Sequence, residues 1–285
     1  MPFVRLAVIP KWDPPTFLEI LATRVMRIAA HAHRPDGSPL PADIDLSSTA
    51  LLLDVDGTLL DIAPTPDAIV VPPELRQILG DLIERSGGSV ALVSGRAIHT
   101  LDRLFSPLIA PAIGGHGAEM RLSPGASIVE ISPIVLPRSF RERLHKLAAT
   151  DPRVILEDKS HSMALHYRLA PEHETFLKTA MREIVPGELV DTVELLFGKY
   201  VIDIKPKQFS KGLAVCELMC HQPFADRTPL FIGDDTTDES VFAILPGLKG
   251  TGYSVGKPIP GTHGTFGTPQ DVRAWLTEIW RCSRT

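Results

Sequence analysis

The chain has 285 residues, of which 44% are hydrophobic and 22% charged, and it carries a formal net charge of -5. This composition is typical of a soluble globular protein, and the weak negative charge argues against a nucleic acid or an anionic membrane surface as a partner. Three cysteines in a chain of this length exclude a disulfide framework and indicate a reducing compartment, so we expect a cytoplasmic protein.

Residues 1–46 are predicted to be an N-terminal extension that ends in a linker. Thr16–Ala30 has the apolar spacing of an amphipathic helix, and the residues after it are rich in proline, glycine and polar side chains. Pro10, Arg24 and Arg27 interrupt the apolar stretches, which is not typical of a secretory signal, and no apolar run is long enough to cross a membrane. The pattern fits a loose tail, a docked helix and an oligomer contact equally well.

The stretch Leu51–Asp54 is typical of a short buried strand, and it runs directly into two carboxylates. Asp54 ends the strand, Asp56 follows two residues later, and Gly57 and Thr58 complete the turn. A buried carboxylate is costly unless a cation or hydrogen-bond donors meet it, and hard oxygen ligands at a strand end suit Mg²⁺. The alternative is an ordinary Asp-Gly turn in which both acids are solvated.

From residue 50 onward the chain alternates strands and helices. Continuous apolar strands that alternate with helices predict a parallel sheet with both faces covered, which is a Rossmann-like α/β fold. The predicted strands are 51–54, 89–94, 112–113 and 230–233, and the predicted helices are 73–85, one ending near 105, 211–221, 237–245 and 269–280.

Between about residues 121 and 208 the pattern changes to openly alternating strands with helices between them. The strands predicted there are 127–131, 154–157, 163–167 and 200–204, and the helices are 137–149 and 171–185. Such a pattern indicates an α+β domain with antiparallel strands. We therefore predict a core made of residues 47–120 and 209–285, into which a domain of residues 121–208 is inserted.

Charged and polar residues stand where the core strands end or the core helices begin. Ligands of open parallel sheets bind beyond the carboxyl ends of the strands, so we expect these residues to meet at one edge. A phosphoryl group together with a divalent cation would satisfy acids and donors that otherwise repel each other or stay unpaired. The residues are Asp54, Asp56, Thr58, Ser94, Arg96, Lys211, Asp234, Asp235 and Asp238.

Phosphoryl transfer gives the acids of this set distinct roles. Asp54 is predicted to attack phosphorus with one oxygen and hold the metal with the other, which forms an aspartyl-phosphate and divides hydrolysis into two steps. Asp56 would protonate the leaving alcohol, deprotonate the attacking water and offer its backbone carbonyl to the metal. Asp234 would be the third metal ligand, with Asp235 and Asp238 beside it or behind it.

The remaining members of the set are predicted to bind phosphate. Ser94 and Lys211 would neutralise the phosphoryl oxygens, and Thr58 and Arg96 join them as phosphate-binding residues. Each signal is weak by itself, because Ser-Gly-Arg is a common turn and a lysine at a helix start is usually solvated. Lys211 is preferred to Lys205 because a glycine follows it at a helix start.

These motifs resemble the four motifs of the haloacid dehalogenase superfamily of Mg²⁺-dependent phosphatases. Within that superfamily the chain resembles the bacterial trehalose-6-phosphate phosphatases over about Ser48 to Trp280. The segments that carry this closer resemblance are Val93–Arg96, Gly115–Glu119, Leu156–Lys159, Leu165–Arg168, Gly198-Lys199 and Gly233–Glu239.

The resemblance implies a Rossmann-like core with an inserted α+β cap, Mg²⁺ as cofactor, and an aspartyl-phosphate intermediate. It implies trehalose 6-phosphate as the small-molecule substrate, hydrolysed in the last step of trehalose biosynthesis, and a functional link to a trehalose-phosphate synthase. The cap residues that it assigns to the sugar hydroxyls are Glu157, Lys159, Arg168 and Lys199.

Three further positions keep an open role. Asp203 stands where the family commonly has Glu, so its side chain is shorter by one methylene and its contact with the sugar is uncertain. His116 and Glu119 match the family's loop beside the site, where they serve either the substrate or the loop itself.

Two rival functions also stay open. One is another sugar-phosphate phosphatase of the same fold, acting on sucrose phosphate or mannosyl-phosphoglycerate. The other is a catalytically silent domain that binds and regulates a partner synthase. The intact set of Asp54, Asp56, Lys211 and Asp234 argues against silence, because a silent domain has no physical need for buried acids around a metal.

Overall fold

The structure is a computed structural model, and the residues it describes are 44–63, 65, 68–130, 136–159, 162–185, 187–198 and 200–283. The helix expected at Thr16–Ala30 and the cap residue Lys199 lie outside the described residues. In the part of the chain that is described, no helix combines the length and the apolar character needed to cross a membrane.

Eight strands form the larger of two sheets, in the order β12-β11-β10-β1-β2-β3-β4-β5. The strands from β12 to β3 are parallel, whereas β4 and β5 pair antiparallel at one edge. The central position of β1 brings its carboxyl end between those of β10 and β2. The strands are β1 Thr49–Asp54, β2 Val90–Val93, β3 Ala112–Gly114, β4 Glu119–Arg121, β5 Val129–Glu130, β10 Thr228–Gly233, β11 Thr251–Val255 and β12 Gly264–Phe266.

Helices cover both faces of this sheet, as the continuous apolar strands predict. Alternate residues of β1 enter different clusters: Leu51 and Leu53 pack with α1, α2 and α7, while Leu52 packs with α5 and α6 on the opposite face. The helices are α1 Pro73–Arg85, α2 Ile98–Phe105, α5 Lys211–Leu218, α6 Glu239–Ile244 and α7 Pro269–Cys282. The predicted parallel α/β core is therefore confirmed.

A second sheet of four antiparallel strands, in the order β6-β7-β9-β8, is formed by the chain between these two groups of core elements. Its apolar face packs on two helices, whose buried side chains include Phe140 and Leu177. Its other face carries charge, because the register aligns Glu157, Ala164 and Asp203 across three strands. The elements are α3 Arg138–Ala148, β6 Ile155–Asp158, β7 Met163–His166, α4 Glu174–Ile184, β8 Val193–Gly198 and β9 Val201–Pro206.

One strand belongs to a different sheet from the one we predicted. The sequence assigned the strand at 127–131 to the inserted domain, whereas Val129–Glu130 pairs with β4 in the larger sheet. The physical reason is local: the chain reverses directly after β4, with the Ala126 N–H donating to the Ser123 carbonyl, so β5 returns beside its neighbour. The division at residues 121 and 208 stays a prediction, and this pairing favours an insert that begins after residue 130.

Candidate active site

A cavity of about 590 Å³ lies between the carboxyl ends of the core strands and the charged face of the smaller sheet. Core residues and residues of the smaller sheet line it together. The predicted site residues that line it are Asp54, Asp56, Ser94, Arg96, Glu157, Lys159, Arg168, Asp203, Lys211, Asp234 and Asp235. The geometry therefore matches the sequence prediction that separate motifs meet at one edge of the sheet.

Three carboxylates form the centre of the core half of the cavity. Oxygens of Asp54, Asp234 and Asp238 all lie within 4.8 Å of one another. Asp54 and Asp238 are buried, and the Lys211 Nζ lies 2.7 Å from Oδ1 of each. This lysine begins α5, whose N-terminus is capped by the Ser210 side chain accepting from the Leu213 N–H.

The charge in this cluster is unbalanced within the described residues, because three carboxylates share one ammonium. Burial raises the pKa of Asp54 to about 7, against the attraction of Lys211. Burial and the neighbouring Asp54 and Asp238 raise the pKa of Asp234 to about 9. Clustered carboxylate oxygens are the ligands that Mg²⁺ prefers, and a divalent cation would supply the missing positive charge. The residues present therefore fit a divalent metal.

The structure distinguishes the two acids whose relation to the metal the sequence left open. Asp238 belongs to the cluster: its Oδ1 faces Lys211 and its Oδ2 accepts the backbone N–H groups of Asp234 and Asp235 at 2.9 and 3.1 Å. Asp235 is outside the three-carboxylate group and instead caps the short turn Thr236–Asp238. Asp238 therefore holds the loop after β10 in place as well as contributing charge.

The turn after β1 passes directly against Asp234. Gly57 has φ +84°, and a Cβ at this position would lie 2.1 Å from the Asp234 Oδ2, so glycine is required. The next residue, Thr58, is completely buried, with its Oγ1 3.5 Å from the Asp234 Oδ1. Thr58 thus lies beside the carboxylate cluster, and its assignment to phosphate stays a prediction.

Arg96 contacts Asp56 through two parallel hydrogen bonds. Its Nε and Nη2 donate to the two Asp56 carboxylate oxygens at 2.6 and 2.9 Å. The Arg96 N–H donates to the Ser94 Oγ, which folds the turn after β2. A bidentate guanidinium fixes the orientation of a carboxylate, so the predicted phosphate-binding Arg96 also positions the predicted acid–base residue.

Across the cavity, the smaller sheet presents a charge-balanced set of side chains. The Lys159 Nζ lies 2.8 Å from the Asp203 Oδ1, and both groups are buried. Burial disfavours the ionised forms, but their mutual attraction prevails: the pKa of Lys159 is raised, and Lys159 with His116 holds the pKa of Asp203 well below its usual range. The Glu157 Oε2 lies 2.9 Å from the His166 Nε2.

Arg168 reaches from the smaller sheet to the core. Its Nη1 donates to the backbone carbonyl of Ala63, in the loop that follows the β1 motif. It also lines the cavity. The predicted sugar-binding arginine therefore also ties the two halves of the cavity together.

His166 has a role that sequence reasoning did not assign, and Glu119 makes a contact that bears on its open role. His166 orients Glu157, and it lines the cavity together with Arg168, which lies in the turn after β7. Glu119 accepts the N–H of Ile98 at 2.7 Å and so caps α2, whose own N-cap residue Ala97 has no side-chain acceptor. The structure thus gives Glu119 a structural contact at the start of α2, and its relation to the substrate stays a prediction.

The preference for Lys211 over Lys205 agrees with the positions of the two side chains. Lys205 donates to the Glu194 carboxylate at 2.6 Å and to the Phe209 carbonyl, and it is not among the described residues that line the cavity. Lys211 lies among the three carboxylates of the core.

Comparison with known proteins gives consistent results. A family model described as trehalose-phosphatase matches residues 52–266. The chain is 39% identical over 242 residues to the trehalose-6-phosphate phosphatase of Escherichia coli (strain K12), which covers 85% of this chain and 90% of that protein. It is 30% identical over 209 residues to the bifunctional trehalose-6-phosphate synthase/phosphatase of Thermoproteus tenax, covering 69% of this chain and 27% of that protein.

A solved structure shows the same fold. The C-terminal domain of the C. albicans trehalose-6-phosphate phosphatase superposes with a TM-score of 0.72 and covers 83% of this chain and 93% of that chain. The two sequences are 23% identical, so this likeness concerns the fold alone.

Proposed function

Because the chain belongs to the trehalose-phosphatase family and is therefore a phosphomonoesterase, we propose that it hydrolyses trehalose 6-phosphate to trehalose and phosphate. The observation that carries the proposal is the pairing of two unlike surfaces around one cavity. A carboxylate cluster with Lys211 faces a charged strand face that bears Glu157, Lys159 and Asp203. The first suits a metal and a phosphate, and the second suits a polyol.

In the first step, a carboxylate oxygen of Asp54 attacks phosphorus. The bond between phosphorus and the sugar oxygen breaks, and Asp56 donates a proton to that oxygen, which releases the alcohol and leaves an aspartyl-phosphate. Lys211 offsets the negative charge of Asp54 and of the phosphoryl oxygens. The bidentate contact with Arg96 orients Asp56 in its ionised form, so the protonated form that donates to the leaving oxygen would keep one of these two hydrogen bonds.

In the second step, water attacks the same phosphorus from the opposite side. Asp56, now ionised, takes the proton of that water, and the bond from phosphorus to the Asp54 oxygen breaks to release phosphate. Both residues then return to their starting protonation states. The arrangement thus explains why two acids are needed two positions apart at the end of β1.

Mg²⁺ would be held by the carboxylates of Asp54 and Asp234 together with the Asp56 backbone carbonyl, and it would offset the charge of the phosphate. Asp238 contributes negative charge and fixes the loop that carries Asp234. The chain's own residues still do the chemistry of attack and proton transfer.

The smaller sheet would select the sugar. Charged and hydrogen-bonding groups that are already paired need little reordering when they exchange a partner for a hydroxyl. Glu157, Lys159, Arg168 and Asp203 are proposed to bind trehalose, with their closure over the substrate excluding water during phosphoryl transfer. Asp203 is proposed to accept a hydrogen bond from a sugar hydroxyl while its Oδ1 keeps the contact with the Lys159 ammonium.

A phosphate-release screen across sugar phosphates tests the proposal. Trehalose 6-phosphate, sucrose 6-phosphate, mannosyl-phosphoglycerate, glucose 6-phosphate and para-nitrophenyl phosphate would be compared at saturating Mg²⁺ and again with EDTA. We expect the highest kcat/KM for trehalose 6-phosphate and no turnover of any ester in EDTA. A higher kcat/KM for another sugar phosphate would identify that ester as the substrate instead. Turnover in EDTA would show that the reaction needs no metal.

The bifunctional relative contains a synthase as well as a phosphatase. We propose that this chain acts on the product of a separate trehalose-phosphate synthase. The silent regulatory alternative predicts no release of phosphate from any ester in the same screen, so one experiment separates the two functions.

A further inference from the structure

The loop between β3 and β4 holds a histidine in an uncommon backbone conformation. His116 has φ +57°, in the left-handed region, and glycines flank it at 115 and 117. Its N–H donates to the Ser94 carbonyl at 3.2 Å, which fixes the loop against the turn after β2. Residues other than glycine occupy this region at an energetic cost, and such positions cluster where a side chain must be aimed.

The imidazole of His116 is buried, and its two nitrogens are poorly satisfied by the part of the chain that the structure describes. The residue is 4% exposed, and neither Nδ1 nor Nε2 has a hydrogen-bond partner among the described residues. Nε2 lies 3.4 Å from the Asp203 Oδ1, which is long for a hydrogen bond but close enough for each group to influence the pKa of the other. Buried polar atoms are nearly always paired, so this ring, which lines the cavity, is suited to a partner that enters the cavity.

The ring lies between the two halves of the cavity. On the core side it covers Gly95, where a Cβ would come within 2.4 Å of the ring, so the glycine after Ser94 makes room for it. On the other side its neighbours are Asp203 and, through it, Lys159. A group that touches this ring therefore lies next to the phosphate-binding turn and also next to the charged sheet face.

The charge state of the ring also favours a neutral partner. Burial lowers the pKa of His116, and the nearby ammonium groups of Lys159 and Lys211 lower it further, against the opposing effect of Asp203. A neutral imidazole offers one donor and one acceptor, which is the complement of a hydroxyl group. A phosphoryl oxygen, by contrast, is already matched by Lys211 and by the turn at Ser94.

We propose that His116 is a substrate-binding residue supplied by the core, and that it hydrogen-bonds a hydroxyl of the sugar unit that carries the phosphate. This inference rests on the proposed function and extends it, because sugar recognition is then shared between the core and the smaller sheet. Asp203 would bind the same region from the opposite wall. The residue is thus specificity-determining, and it takes no part in attack or proton transfer.

The first test compares two esters in two variants. His116→Gly keeps the left-handed backbone and removes the ring. His116→Asn replaces the ring with a short amide side chain, and asparagine also tolerates this backbone conformation. We expect kcat/KM for trehalose 6-phosphate to fall about tenfold to a hundredfold in His116→Gly, because a site built for a hydroxyl loses its partner. The value for para-nitrophenyl phosphate should stay within about threefold of wild type, since that ester has no sugar.

Lys249→Gly provides a matched control. Lys249 has φ +56°, is exposed and does not line the cavity, so this change adds the same backbone freedom away from the site. We expect wild-type kinetics on both esters. Equal losses on both esters in the His116 variants, or unfolding of both variants in thermal melts, would make His116 a structural part of the loop and overturn the proposal.

The second test identifies the hydroxyl. Trehalose 6-phosphate analogues that lack one hydroxyl in turn on the phosphorylated ring would be assayed with wild type and with His116→Gly. For one analogue, the losses from the missing hydroxyl and from the missing ring should not add, because both remove the same hydrogen bond. Additive losses for every analogue would refute the contact. If the wild-type chain prefers another sugar phosphate, the proposed substrate is wrong, and the same comparison on that ester still tests His116.

Discussion

The two walls of the cavity solve the problem of buried charge in opposite ways. In the core, Asp54, Asp234 and Asp238 crowd around Lys211, and burial with mutual repulsion raises the pKa of Asp54 to about 7 and that of Asp234 to about 9. In the smaller sheet, Lys159 and Asp203 pair closely, and the pKa of Asp203 falls below its usual range despite burial.

This difference indicates which wall of the cavity needs a bound ligand to balance its charge. The core wall has an excess of negative charge, so a divalent cation would lower its energy. The described side chains of the smaller sheet are already paired, so on the proposed function this wall would be ordered before the sugar binds, and hydroxyls would exchange with its internal contacts. Removing one of the core carboxylates should therefore stabilise the core. Removing one partner of the Lys159–Asp203 pair should destabilise the smaller sheet.

Asp54→Asn tests whether the carboxylate cluster of the core wall is needed for catalysis. We expect turnover to fall by at least about a thousandfold, because the amide cannot form the aspartyl-phosphate. The fold should remain, since the change removes one of three carboxylates around Lys211. Steady-state phosphate release and thermal melts measure the two effects. Residual activity within tenfold of wild type would contradict the nucleophile assignment.

Lys159→Met tests whether the wall of the smaller sheet is held by pairing. The change leaves the Asp203 carboxylate buried without its ammonium, which costs about 3–5 kcal/mol when a buried pair loses one member. Chemical denaturation measures the loss in the free energy of unfolding. The double variant Lys159→Met/Asp203→Leu is the matched control, and it should recover most of the loss. A single variant as stable as wild type would show that the pair is not a buried unit.

The pH dependence of stability tests the same pair without its removal. The pKa of Asp203 is lower in the folded protein than the unfolded value of about 3.9, so the unfolded chain binds more protons in acid. The stabilisation from this group is therefore complete above about pH 4 and is lost as the pH falls below it, by up to about 1.4 kcal/mol for each pH unit. Denaturation midpoints of wild type and of the double variant, measured from pH 2 to 6, should diverge only in that acid range; parallel curves would contradict the pairing.

Asp234→Asn should give the smallest effect, and one of the opposite sign. In metal-free buffer we expect the free energy of unfolding of the variant to exceed that of wild type by about 0.5–2 kcal/mol. The reason is that the change removes a half-buried carboxyl group that Asp54 and Asp238 repel when it is ionised. Added Mg²⁺ should raise the melting temperature of wild type and leave the variant unchanged, because only the wild type gains a folded-state ligand. A metal-free variant less stable than wild type would mean that the cluster is not short of positive charge.

The parts of the site that sequence reasoning predicted best are those fixed by short-range rules. The carboxyl ends of parallel strands meet at one edge, so the strand that ends at Asp54 and the strand that ends at Gly233 bring their acids together. The turn at Gly57 follows from the same motif. For such residues, spacing and strand order determine position.

The parts that sequence reasoning missed depend on contacts between distant segments. The left-handed backbone of His116 and the position of its ring against Gly95 follow from how its loop packs against the turn at Ser94. The orientation of Glu157 by His166 depends on a strand pairing that the sequence does not specify. The sheet to which β5 belongs was predicted wrongly, because a hairpin with its nearest neighbour outweighs the change of pattern that follows it.

The capping of α2 by Glu119 has a consequence for protein engineering. The turn that carries Ser94 and Arg96 leads into this helix, and the helix is held at its start by a carboxylate from β4. An experimenter who exchanges the insert for a foreign one would therefore join the segments after β5. A junction placed before β4 would remove the Glu119 carboxylate and uncap the helix that follows the turn at Ser94 and Arg96.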